Sequence, residues 1–126
     1  MEITAATYEM PDGSQEVEIT HKGQTTRFTA SDLSDYIAAL AQVRESLRPP
    51  VRTQDPQAGE TVQAIADPRW WMSSEAFVGG ALLQLRHPGL GWLAFALPLQ
   101  SLQALHAEAG KALVVAENQA ASQRQN

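Results

Sequence analysis

The side chains to weigh first for chemistry are His21, His87 and His106, because imidazole is both a common metal ligand and a proton carrier near neutral pH. No two of them have the close spacing that sets a ligand pair on one helix or strand face. Cysteine is absent, which removes thiolate nucleophiles, thiolate metal sites and disulfides together. Ser73-Ser74 stands before Glu75, but no GxSxG elbow or SxxK pair is present to activate a hydroxyl. Asp67, Glu75 and the acidic first third supply carboxylates, and no two of these are marked out by opposed surroundings for acid and base work. Gly79-Gly80 lacks the GxxxxGK[ST] and GxGxxG spacings and leads into a strand, so it is no phosphate cradle. The expectation is a chain that is not an enzyme, with no catalytic residue, cofactor or metal ligand to assign.

Recognition is better provided for. Trp70, Trp71 and Met72 are consecutive, and Trp92 lies further on. On a strand, neighbours point to opposite faces, so Trp70 and Trp71 cannot enter the same core layer. One of them, with Met72, Leu90 and Trp92, is expected to form an apolar patch with Arg69 and Arg86 at its rim. Tryptophan and arginine suit such a patch because they desolvate large areas at low entropy cost.

Charge offers a second surface. Up to Asp35 there are seven acids and two bases, and from Tyr36 onward seven of each, so the whole net charge of -5 sits in the first third. Glu9, Glu16 and Glu18 are the candidate contacts for a basic partner, at a place that would repel a nucleic-acid backbone.

The elements that must hold these residues are legible as alternation and helical spacing. Ile3 to Met10 alternates weakly and runs into Pro11, Asp12, Gly13 and Ser14, which is turn chemistry. Glu16 to His21 sets Val17 and Ile19 against Glu16 and Glu18, and Lys22-Gly23-Gln24 reverses the chain into Thr25 to Thr29. Ser31 is the expected N-cap of a helix carrying Leu33, Tyr36 or Ile37, Leu40, Val43 and Leu47, which Pro49 and Pro50 stop. Thr61 to Met72 is strand-like, bent, bulged or at an edge at Pro68, and Ser73 to Phe77 reads as a loop or a single helical turn. Ala81 to Leu85 and Trp92 to Leu97 flank His87, Pro88, Gly89 and Gly91 as a hairpin. Its second strand is apolar on both alternating sets, which predicts a place inside a sheet. A last helix follows Pro98 with Leu99, Leu102, Leu105 or His106, Ala109 and Leu113 in step.

An offset of 66 matches Val17 with Leu83, Ile19 with Leu85, His21 with His87 and Leu33 with Leu99, as a βββα pseudo-repeat requires. The predicted fold is α+β: one antiparallel sheet of five to six strands, built from the meander and the central hairpin, with two helices packed on one face. One domain is expected over 1–117, with halves 1–48 and 61–117, a linker over 49–60 and a disordered tail over 118–126. The opening residues have no leader pattern and no apolar run approaches a membrane span, so a cytoplasmic protein without a membrane partner is expected.

These features point to a non-catalytic protein-binding domain, of the kind seen in small acidic inhibitors and immunity or antagonist proteins that mask a basic surface. Its partner is then another protein, or a second copy through the tryptophan patch. The alternatives are a single-stranded nucleic-acid module that stacks bases on tryptophan, for which bases are few, and a small ligand-binding protein or enzyme with a pocket between sheet and helices.

Overall fold

A computed structural model describes residues 1–124. The chain divides into two compact units, Met1–Thr61 and Val62–Asn126, each with three strands followed by a helix. The first holds β1 (Thr4–Glu9), β2 (Gln15–His21), β3 (Gln24–Thr29) and α1 (Ala30–Ser46). The second holds β4 (Trp70–Glu75), β5 (Gly80–His87), β6 (Gly91–Leu97) and α2 (Leu99–Arg124). An offset of 66 carries β1 onto β4 residue for residue and sets β2 against β5.

The α+β class and the antiparallel pairing are as predicted, but the single sheet is not. Each unit has its own three-stranded sheet, ordered β1-β2-β3 and β4-β5-β6. β6 is therefore an edge strand, although both of its faces are apolar. Alternation reports that those side chains need cover, and is silent on what supplies it.

Local chemistry explains the turns. The Asp12 carboxylate accepts from the Ser14 backbone at 2.9 Å and from the Ser14 hydroxyl at 2.6 Å, while Gly13 takes a φ of 87°. Lys22 and Gly23, with φ of 50° and 78°, form the two-residue reversal between β2 and β3. At the other hairpin, His87 Nδ1 accepts from the backbone N–H groups of Gly89 and Leu90, both at 3.0 Å, a structural use of that histidine.

Several boundaries move for identifiable reasons. Thr29, not Ser31, caps α1, accepting from the Asp32 backbone at 3.1 Å, because β3 runs straight into the helix. β4 starts only at Trp70, beyond Pro68 and a positive φ of 45° at Asp67, and it then continues to Glu75 through residues expected to loop. The tail predicted to be disordered from Asn118 is helical to Arg124, since Ala120, Ala121 and the glutamines favour helix despite their polar setting; residues 125–126 of that expectation lie outside the described residues. The linker has its own clamp, in which Arg52 grips Glu60 through both carboxylate oxygens at 2.6 and 2.8 Å and the Gln57 backbone donates at 2.7 Å.

Packing is sparse. Ala81, 4% exposed, is the one buried residue among those described. Phe28 stacks on Tyr36 with ring centroids 5.2 Å apart, which seats α1 on the Val17–Ile19 face of its sheet. Leu33 in α1 and Leu102 in α2, each the fourth residue of its helix, are the only helical positions among those described that are not exposed.

Two glycines separate close packing from open surface. A Cβ at Gly80 would collide with the Leu97 carbonyl, whereas nothing lies near one at Gly110. Gly80→Ala should destabilise the second unit by about 2 kcal/mol, and Gly110→Ala should stabilise it by about 0.8 kcal/mol, as read by urea unfolding. The linker clamp should respond to pH. Hydrogen bonds from Arg52, then from the Gln57 backbone, hold Glu60 below the usual carboxylate range. Its contribution is therefore present above the unfolded carboxylate pKa and lost as pH falls through the lowered folded value. The Gln57 amide should keep its exchange protection until pH drops below that ordinary range, and Glu60→Gln should abolish the step.

Candidate functional site

Strand register decides which candidate side chains meet. In the second sheet Trp71 lies opposite Gln84, which lies opposite Ala94, and Arg86 lies opposite Trp92. Directly paired residues share a face, so Trp71, Gln84, Arg86 and Trp92 stand together. The Arg86 backbone donates to the Arg69 carbonyl at 2.9 Å, extending the ladder one residue before β4. This sets the Arg69 guanidinium over the Trp92 ring, 5.7 Å from its centroid. Arg69, Trp70, Trp71, Gln84 and Trp92 line a shallow 330 Å³ depression there. Trp71 is 63% exposed and Trp92 42%.

Two of the sequence candidates fall elsewhere. Met72 lies opposite Leu83, which lies opposite Phe95, on the face shared with Trp70, so it is no part of the Trp71–Trp92 surface. The alternation that separates Trp70 from Trp71 also separates Trp71 from Met72. Leu90 sits in the β5–β6 turn at the Trp92 end, with an exposed side chain. Gln84 was the missed member. Its signal was a lone polar residue in the apolar run Leu82 to Leu85, which is how an outward position reads.

The acidic candidates divide in the same way. Glu16 and Glu18 share one face of β2, where the Arg27 guanidinium meets Glu16 at 2.8 Å and Glu18 at 3.5 Å. The Tyr8 hydroxyl donates to Glu18 at 3.2 Å, and Arg27 lies 4.8 Å from the centre of the Tyr8 ring. The hydrogen bond that Arg27 donates to the Glu16 carboxylate raises the Arg27 pKa above its ordinary value. Glu9 pairs with Gln15, one residue out of step with Tyr8 and Glu16, and so belongs to the other face. One arginine thus serves two carboxylates, leaving a much weaker field than three free acids would give.

Behind that sheet, between its inner face and α1, lies a 480 Å³ cleft lined by Ile3, Ile19, Phe28, Leu33, Tyr36 and Leu40 among others. Its lining is mostly apolar, and it can take an aliphatic or aromatic group. Among the described residues no cluster of three or more His, Cys, Asp or Glu side chains is placed to hold a metal ion, and no helix is long and apolar enough to cross a membrane.

The arginine rim gives the tryptophan face a measurable signature. Iodide should quench the fluorescence of the native protein more than caesium does, because Arg69 and Arg86 attract anions to the indoles. Arg69→Ala should narrow that difference, and equal quenching by both ions in the native protein would contradict the geometry. No protein-family model, curated protein or solved structure matches this chain.

Proposed function

We propose that this chain is a non-catalytic protein-binding domain whose contact surface is the Trp71–Trp92 face of the second unit. The observation that carries the proposal is the grouping of two exposed indoles with Arg69, Arg86 and Gln84 on one sheet face. Indole and guanidinium supply most of the binding energy at protein interfaces, and an amide between them can satisfy a partner's backbone. The face opposite Trp71 holds half-buried Leu83, Leu85 and Leu93 as apolar support, together with Trp70, which is itself 65% exposed.

Glu16 and Glu18, shared with Arg27, support an accessory role in the masking of a basic surface. They and the other acids of the first unit steer a basic partner at long range, and such steering weakens as salt rises. A second proposal, favoured by the stacked Arg69–Trp92 pair, is that the same face stacks the bases of a single strand. The net charge of -5 weighs against it.

Affinity capture from the source cell, quantified by mass spectrometry, tests the primary proposal. A partner retained by native protein should be lost with Trp71→Ala, Trp92→Ala, and retained with slower, less salt-sensitive association with Glu16→Lys, Glu18→Lys. The same partner held equally by the tryptophan variant would overturn the assignment. Binding of labelled single strands at low salt, abolished by Trp71→Ala, would replace it with the nucleic-acid proposal.

A further inference from the structure

β6 ends its sheet, yet its composition is that of an interior strand. Among the edge strands of the two sheets, β1 carries Glu9, β3 carries Arg27 and β4 carries Glu75, whereas GWLAFAL holds no charge and no proline. Those are devices that ordinarily keep an edge from pairing. The register fixes which backbone groups of β6 are open. The Arg86 N–H donates to the Arg69 carbonyl, so Arg86, Gln84 and Leu82 turn their N–H and C=O groups toward β4, and Leu85, Leu83 and Ala81 turn theirs toward β6. Leu93, Phe95 and Leu97 complete that ladder. The N–H and C=O groups of Trp92, Ala94 and Ala96 therefore point along the outer edge, where no strand pairs with them among the described residues.

The side chains around this edge specify what can pair with it. Trp92, Ala94 and Ala96 lie on the face of Trp71 and Gln84. The Arg69 guanidinium lies over the Trp92 ring, and Arg86 is the cross-strand neighbour of Trp92. Neither arginine forms a salt bridge among the described residues. Two cations thus stand at one end of the edge, and exposed Ala94 and Ala96 leave room beside them. On the other face α2 packs against β5 and β6 but leaves Phe95 50% exposed between Leu93 and Leu97. A strand seated here meets cations with one alternate set of its side chains and apolar groups with the other. A second copy of β6 brings no acid to the arginines, and a nucleic-acid backbone cannot complete a peptide ladder.

We propose that β6 accepts an additional strand from the partner protein, an extended segment in which acidic residues alternate with aliphatic ones. The acids meet Arg69 and Arg86, and the aliphatic side chains cover Leu93 and Phe95. This inference rests on the Trp71–Trp92 face being the contact surface, and it names the segment which that face takes. The added strand pairs the open backbone groups of Trp92, Ala94 and Ala96 and sets β6 inside a sheet, as its two apolar faces require.

The probe is an acetylated, amidated peptide of seven residues, the length of β6, alternating valine with aspartate and added to the full chain. Its binding should slow amide exchange at Trp92, Ala94 and Ala96, and should weaken roughly tenfold or more when lysine replaces aspartate. Methylating the backbone nitrogens of one alternate set of peptide residues should abolish binding, and methylating the other set should not, a comparison that leaves the protein untouched. Equal affinity whichever set is methylated, with the Trp71 and Trp92 indoles still perturbed, would overturn strand addition and leave the tryptophan face as the contact surface. Slow exchange at the three amides before peptide is added, growing with protein concentration, would overturn the proposal in favour of a second copy. Equal affinity for the lysine peptide, or no binding of the aspartate peptide, would also overturn it, while loss of the captured partner with Trp71→Ala, Trp92→Ala reports on the contact surface separately.

Discussion

Burial of apolar surface is the constraint on which the rest of this molecule depends, and three strands with one helix cannot satisfy it alone. A sheet of three short strands has one face for a helix and another that must meet water or a partner. In both units the fourth residue of the helix, Leu33 or Leu102, is its one position that is not exposed, with the Phe28–Tyr36 stack a further hold on α1. Hydrophobic burial contributes roughly 25 cal/mol per Å², so surface left uncovered is stability that each unit does not gain.

The two units share one order of elements and differ on their outward faces. The position of Glu18 in the first corresponds to Gln84 in the second at the 66-residue offset. Around Glu18 stand Tyr8, Glu16 and Arg27, a closed set of ion pairs and a cation–π contact. Around Gln84 stand Trp71, Trp92, Arg69 and Arg86, with no carboxylate paired beside them in the register. Internal pairing makes the first face self-sufficient. The second face keeps both of its indoles exposed.

Much of this organisation is legible in the residues, and the failures are instructive. The repeat follows from alternation in β2 and β5, from turn residues such as Asp12-Gly13 and Lys22-Gly23, and from leucine spacing in the helices. The separation of Trp70 from Trp71 follows from strand geometry alone. The same rule removes Met72 from the tryptophan face, and counting register through the Asp12-Gly13 turn removes Glu9 from the company of Glu16. The single larger sheet failed because the doubly apolar β6 implies cover without naming its source. The helical end of α2 was hidden by composition, since polar content lowers burial without lowering helix propensity where alanine and glutamine prevail. Ion pairing of Glu16 and Glu18 with Arg27 required cross-strand register, which no local pattern encodes.

Leu113, Val114 and Val115 of α2 are exposed within their own unit, and amide hydrogen exchange measures this directly. Followed residue by residue in dilute solution, protection from Gly110 to Arg124 should be slight beside that of β5. Strong protection of that segment in a dilute monomer, independent of concentration, would contradict the account.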